Sequence, residues 1–443
     1  MIGLRCLGCG REVSVPASGS VPFVCPHAGD GGDHVLLPVL PTPSPRGQEQ
    51  QSQPFLRFAD RMLAFHRCQI ANRPQVYSEV VQSLDERIMA LCGHSFQQTP
   101  FLRSDSLSQH FGLHERGGIW IKDETNNPGG SHKGRHLFGL MVELLVGEAL
   151  TGQRSSAPPP VLAIASCGNA ALAAAVVACA AARRLLVFIP ADAEPSVVRS
   201  LRELSAEITI CHRQQGESGD PCYLRFQEAV RNGAIPFCCQ GPDNGLTIEG
   251  GQTLLVEALA DLAAIGRTPS RVMVQVGGGA LASACALAME TALQTGLLPE
   301  RPRFYTAQTE SVAPLDRAYQ RLMAELHDAA PATNEPDWYQ IAAHKRHYMW
   351  PWESVPHSAA HGILDDETYD WLALVQAMIR SNGRPVVVPE VNILAAQSLA
   401  RNATGIAVSA TGSAGLAGLL TLHEKEPLSP LENVVCLFTG VMR

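Results

Sequence analysis

The chain has no apolar run long enough to cross a membrane, and polar residues break its alanine-rich stretches. It has no excess of basic charge. Its formal net charge is −8, which argues against a general nucleic-acid binder. The opening MIGLRCLGCG lacks the apolar core of a signal peptide, so a cytoplasmic protein is expected. No GxGxxG follows the first strand with a later acidic partner, so a Rossmann dinucleotide site is not read. No internal repeat appears beyond a general strand–helix alternation. The 13 cysteines are odd in number. Most lie in apolar contexts, as at Cys179, Cys238, Cys239, Cys285 and Cys436. They read as reduced buried thiols rather than a disulfide framework.

What is present indicates a large globular protein. The 443 residues are 46% hydrophobic, enough for a large core and two or three domains. Residues 1–37 form a separate unit. Cys6-x2-Cys9 aims two thiolates at one point, and Cys25, His27 and His34 follow. Zinc takes four tetrahedral N/S ligands, and a module this small needs a metal to fold. Cys6, Cys9, Cys25 and one histidine suffice. His34 is preferred, because Cys25-x-His27 leaves little chain to turn around an ion. Two ordinary thiols in a flexible leader are the plain alternative. Residues 38–54 are rich in Pro, Gln and Ser and read as a linker.

Residues 55–443 follow a different pattern. Helical periodicity in 55–100 predicts a cover over the core. Beyond it, unalternating apolar strands such as VLAIA, LLVFIP, VMVQV, PVVVPE and VVCLFTG are separated by helices. IAVSA reads as one more short strand. This pattern predicts an α/β fold with parallel sheets and helices on both faces. GQRSSAPPP reads as a surface loop and GPDNGLTIEGGQT as a return loop. Residues 311–385, which include HDAAPATNEPDWYQ, are irregular and predict a lid or an oligomer contact.

The chain is organised around Lys122–Leu140, KDETNNPGGSHKGRHLFGL. Lys133 follows a Gly/Ser turn at the mouth of a helix. Burial there would lower its pKa and make its amine a nucleophile for a Schiff base. A phosphate-binding or surface lysine is the plainer reading. Three later turns each sit between an apolar strand and a helix, or open a helix: Ser166-Cys167-Gly168-Asn169, Gly277-Gly278-Gly279-Ala280 and Thr411-Gly412-Ser413-Ala414-Gly415.

A lysine, a Gly-Asn turn, a glycine cradle and a late hydroxyl, in this order, resemble the fold-type II pyridoxal-phosphate (PLP) enzymes. These include threonine synthase, serine/threonine dehydratase, cysteine synthase and the tryptophan synthase β chain. The resemblance spans about Gly118 to Leu420. It implies a two-domain architecture, with a smaller subdomain at about 138–245, and a homodimer. Lys133 would carry the cofactor and act as the base at the substrate Cα. His132 resembles the histidine that neighbours the phosphate in the tryptophan synthase β chain, or else it packs. Asn169 would bond the ring hydroxyl, or cap its helix. Gly277, Gly278, Gly279, Ala280 and Leu281 would wrap the phosphate. Thr411 would bond the ring nitrogen, with Ser409 and Ser413 as rivals, or cap its helix. Ser166, Cys167 and Gly168 would take the substrate carboxylate, and Arg135 is a further substrate candidate.

Ala170 stands where many family members have a hydroxyl. Asp123 and Glu124 could pair with Arg135 or orient near the substrate. His357, His361 and Asp365–Asp366 lie in the long loop. The first unit resembles the zinc ribbon found on some threonine-synthase-like proteins. The function implied is a PLP-dependent lyase or synthase for a small amino acid, threonine-synthase-like. A serine/threonine dehydratase-like ammonia-lyase is the alternative. From another class, a zinc-ribbon scaffold or regulator on a PLP-enzyme fold is also open.

Overall fold

The computed structural model describes residues 2–152, 158–214, 219–328 and 335–443. Most of the expected GQRSSAPPP loop, and residues 329–334 of the polar stretch, lie outside the described residues.

Thirteen strands form three sheets among the described residues. Strands β1 (Gly3–Cys6), β2 (Glu12–Ser14) and β3 (Leu36–Val39) make a small antiparallel sheet in the order β2-β1-β3. Strands β4 (Phe101–Ser104) and β5 (Gly118–Asp123) belong to the large sheet. Strands β6 (Leu162–Ala165), β7 (Leu185–Pro190), β8 (Glu207–Cys211) and β9 (Ile235–Pro236) form a parallel sheet, ordered β8-β7-β6-β9. Strands β10 (Arg271–Gln275), β11 (Arg303–Thr309), β12 (Pro385–Val388) and β13 (Asn433–Phe438) complete the large sheet, ordered β12-β11-β10-β13-β5-β4. Only its edge strand β4 runs antiparallel.

Every residue of β5, β10 and β13 is buried. That is why these strands read as apolar runs without alternation: helices cover both faces. The helix Asn169–Ala180 is buried on nearly all sides, which suits its alanine-rich, faceless sequence. The helices Lys133–Thr151 and Thr247–Ala264 cross closely, because a Cβ on Gly250 would collide with the Arg135 carbonyl. The second helix begins at Thr247, so TIEGGQT is helical rather than loop. IAVSA makes only a single bridge, Val408 to Val441.

The expected boundary at 37–38 falls inside β3, and the Pro/Gln-rich segment after it is held against the body. The Ser44 amide donates to Asp60 at 2.6 Å, and Gln48 donates to the Arg57 carbonyl at 2.9 Å. Gln53 caps the helix Pro54–Arg57 through its side-chain oxygen. Polar composition left this segment no core of its own, yet its backbone finds partners on the body.

Arg135 is corrected as a substrate residue. Its side chain is fully buried, pairing with Glu124 at 2.7 Å and Glu257 at 2.7 Å. Lys122 joins Glu257 at 2.6 Å, also fully buried, and Thr99 and Thr253 bond within the group. Burial alone would raise the Glu257 carboxyl, but Arg135 and Lys122 outweigh it and hold it below its ordinary value. Removing one member of a buried ion group strands the others, at a cost of about 3–5 kcal/mol. Arg135→Met is therefore expected to lower unfolding free energy in urea by about that amount. An unchanged midpoint would show that the cluster is dispensable.

Candidate functional site

In open α/β sheets, ligands bind beyond the carboxyl ends of the parallel strands. Three of the singled-out stretches leave such ends here, the lysine loop after β5, Ser166–Asn169 after β6 and Gly277–Gly279 after β10, and Thr439-Gly440 leaves another after β13.

The lysine loop is zipped to the segment after β13. His132 donates its backbone amide to the Thr439 carbonyl at 3.0 Å. Ser131 bridges Gly440, and Val441 donates to Gly130 at 3.0 Å. Gly129 and Gly130 both adopt positive φ, 77° and 70°, a conformation costly for any residue with a Cβ. Lys133 is the first residue of its helix and is part-buried. Its charge reaches Asp365, Asp370, Cys239, His132 and His136. Only four lysines occur in the chain: Lys122, Lys133, Lys345 and Lys425.

His132 is buried, and its Nδ1 donates to the Thr439 carbonyl at 3.1 Å. Burial, then Lys133 and His136, push it well below its ordinary value, so it is neutral. Of its two expected roles, the visible one is this structural bond. His136 is fully buried, with Nδ1 on the Thr247 carbonyl at 2.8 Å. Burial pushes it down to about 3.

Asn169 opens its helix but does not cap it. Gly168 occupies the cap position, and the Asn169 side-chain oxygen accepts from Arg443. Ser166 is part-buried and Cys167 exposed at the same turn. The Gly168 amide donates to Ser166 Oγ at 3.4 Å. The cap of the last long helix, Ala410–Lys425, is Ser409, not Thr411. Thr411 Oγ1 instead accepts from the Gly362 amide at 3.0 Å.

Gly277, Gly278 and Gly279 lead into the helix Ala280–Gln294, with Gly279 at φ 105° in the cap position. The segment 361–370 packs directly on them. A Cβ on Gly277 would collide with Asp365, one on Gly278 would sit 2.8 Å from the Tyr369 ring, and one on Gly279 would lie 3.1 Å from Asp370 Cβ. Burial pushes the Asp365 carboxyl up to about 6, with Lys133 and the Gly278 amide opposing that rise. Asp370 returns a backbone bond to the Gly278 carbonyl at 3.0 Å. His357 and His361 are exposed. The expected irregular region thus covers the glycine turn through Asp365, Tyr369 and Asp370, residues that no sequence spacing marks. Thr439, Gly440 and Arg443 were also missed. Their signal was position: they directly follow the last central strand.

The residues fit an anionic, polar cofactor. The Asp365 carboxyl lies against the glycine turn, where a Cβ on Gly277 would collide with it. Ser131 Oγ and His136 Nε2, on either side of Lys133 in the chain, and Asp370 Oδ1, whose carboxyl feels the Lys133 charge, are buried without hydrogen-bond partners. Such atoms are normally satisfied, and their concentration calls for a polar occupant.

At the other end, Cys6, Cys9, Cys25 and His34 place one ligand atom each within 4.8 Å of one another. Cys9 Sγ lies 3.7 Å from Cys25 Sγ, and Cys6 Sγ 3.4 Å from His34 Nδ1. Zinc–sulfur bonds of about 2.3 Å at tetrahedral angles put two sulfurs about 3.8 Å apart. His34 Nε2 donates to Asp30 at 2.9 Å, the kind of bond that orients a metal-ligating histidine. His27 is outside the group. The module docks through Arg67, which donates to the Pro16 and Gly19 carbonyls at 3.1 and 2.6 Å.

These features are those of a cofactor enzyme built on a pair of parallel sheets. Residues 94–440 match the family described as pyridoxal-phosphate dependent enzyme, and the chain belongs to that family. Among curated proteins it is similar to the threonine synthase of Methanocaldococcus jannaschii, 23% identical over 371 residues, covering 82% of this chain and 78% of that one. It is also similar to the L-threonine dehydratase of Haemophilus influenzae, 28% identical over 194 residues, covering 44% of this chain and 34% of that one. Among solved structures, a threonine deaminase from T.th. superposes with a TM-score of 0.56 at 22% identity, covering 82% of this chain and 98% of that one. The structural likeness establishes the fold. Among the described residues, no helix is long and apolar enough to cross a membrane.

Asp370 offers a test of the electrostatics. It is buried, and burial raises its carboxyl from 3.8 to about 7. The Gly241 amide and Lys133 oppose that shift, while Asp33 and Asp243 add to it. A carboxyl raised on folding costs nothing while protonated in both states, and its penalty grows as pH climbs to the folded value. In cofactor-free protein, Asp370→Asn is expected to be more stable than the parent by on the order of a few kcal/mol near pH 8, a gain that vanishes near pH 4. A gain of equal size at both pH values in thermal melts would refute this origin.

Proposed function

We propose that this protein is a PLP-dependent lyase or synthase, threonine-synthase-like, that acts on a small amino acid by β- or γ-elimination or replacement. The observation that carries the reading is the meeting of four separated motifs at one place. The lysine loop, the Asn169 turn, the glycine turn and the start of the Ala410–Lys425 helix are joined by direct contacts through residues 361–370 and 439–443.

Lys133 would hold the cofactor, and its amine would take the proton from the substrate Cα. Bound there, the cofactor would supply an electron sink. The amides of Gly277, Gly278, Gly279, Ala280 and Leu281 receive the phosphate, aided by the helix dipole. Asn169 donates its amide to the ring hydroxyl. Thr411 keeps its Gly362 bond as acceptor and donates its hydroxyl proton toward the ring nitrogen. A neutral donor there would not require a protonated ring nitrogen, which would suit elimination and replacement better than transamination. Ser166, Cys167 and Gly168 take the substrate carboxylate, and neutral His132 holds the loop.

Zinc in the Cys6, Cys9, Cys25 and His34 cluster folds the module of residues 1–37. The smaller subdomain at about 138–245 carries the four-stranded sheet. The cysteines outside the zinc set, most of them buried and unpaired, support a reduced, cytoplasmic setting, and a homodimer is the expectation carried over from the family.

The purified protein is expected to be yellow, and borohydride should fix the cofactor on Lys133, seen by peptide mass. Lys133→Ala should lose both. Colourless protein indifferent to added PLP would favour a scaffold. Phosphate released from O-phosphohomoserine supports the synthase, whereas 2-oxo acid from serine or threonine supports the dehydratase alternative. One zinc per chain is expected by metal analysis. Cys25→Ser should lose the zinc and melt at a lower temperature, and equal melting of the two would sink the structural-metal reading.

A further inference from the structure

The segment after β13 brings a guanidinium into the site that no sequence motif marks. Thr439–Met442 is tied on one side to the lysine loop and on the other to residues 407–409: Ser409 donates to the Gly440 carbonyl at 3.0 Å, and Met442 to Ala407 at 2.8 Å. This double anchoring delivers Arg443 to Asn169. Arg443 Nη1 donates to Asn169 Oδ1, and Nη2 donates to the Gly129 carbonyl at 2.5 Å. A Cβ on Gly130 would sit 2.8 Å from Nη2, so that glycine makes room for the fork. Arg443 remains exposed over part of its surface, partial burial lowers its guanidinium's pKa, and no carboxylate pairs with it among the described residues.

We propose that Arg443 is a positioning residue for the cofactor. An amide has one acceptor end and one donor end. With its oxygen held by a charged fork, Asn169 has only its NH2 group left for the pocket. The same fork ties the Asn169 turn to Gly129, four residues before Lys133. The cation also lies beside the place where the ring hydroxyl is received, and favours that oxygen in its ionised form. A lysine keeps the charge but loses the two-armed geometry. The inference rests on the proposed role of Asn169 toward the ring hydroxyl.

The test titrates PLP into cofactor-free parent, Arg443→Met, Arg443→Lys, Asn169→Ala and the Met/Ala double variant, following affinity by absorbance. It also compares the visible band of the ionised ring hydroxyl with the near-ultraviolet band of the neutral one. Arg443→Met should bind PLP about tenfold more weakly, the order of one charge-assisted hydrogen bond. Its absorbance should shift toward the near-ultraviolet band. Arg443→Lys should recover the band ratio more than the affinity. In the Asn169→Ala background, Arg443→Met should add little further loss of affinity, because the two act as one unit. Parent-like affinity and bands in Arg443→Met, or fully additive losses in the double variant, would overturn the proposal. If the parent binds no PLP, the cofactor reading fails first. If Asn169→Ala alone binds as the parent does, the fault lies with Asn169.

Discussion

Two cations and two carboxylates sit beneath the lysine loop where water does not reach. Lys122, Glu124, Arg135 and Glu257 come from β5, the loop after it and two crossing helices. Each is fully buried, so each is tolerable only while the others stay in place. That mutual dependence fixes where β5 ends and where the Lys133 helix begins. Arg135 points into the cluster and, two residues earlier on the same helix, Lys133 points to the strand ends. Gly250 lets the partner helix approach close enough for Glu257 to reach both cations.

Above this base, the site is an exercise in close backbone approach. Glycines 277–279 admit Asp365, Tyr369 and Asp370 to within contact distance, Gly129 admits Ala173 of the Asn169 helix, and Gly130 admits the segment after β13. The two covering segments come from distant parts of the chain. One packs Asp365, Tyr369 and Asp370 against the glycine turn, and the other presents a guanidinium to Asn169.

The metal-ligand cluster stands apart from this chemistry but not from the body. Arg67 is buried, paired with Glu143, and reaches the module's backbone carbonyls. Asp33, beside His34 of the Cys/His cluster, donates its backbone amide to the Ala342 carbonyl at 2.8 Å. Asp33 is also among the charges that Asp370 feels. The module is thus packed onto the helices Leu63–Ile70 and Trp338–Ala343.

Local chemistry determined much by itself. Apolar runs between helices indicated parallel sheets, because strands buried on both faces have no need to alternate. The Cys6, Cys9, Cys25 and His34 set was legible because ligand spacing is a short-range property. Lys133, Asn169 and Gly277–Gly279 were legible because each sits at a strand-to-helix turn. Tertiary structure alone decided the partners. Arg135 looked available beside Lys133, but helix geometry turned it into the ion cluster. Thr411 ceded its cap to Ser409 and bonded Gly362, 49 residues away. Asp365, Asp370 and Arg443 carried no motif, since what they do depends on which distant backbone their segments pack against. Sequence patterns report a residue's neighbours along the chain. The charges and hydrogen bonds of this site are settled by neighbours across the fold.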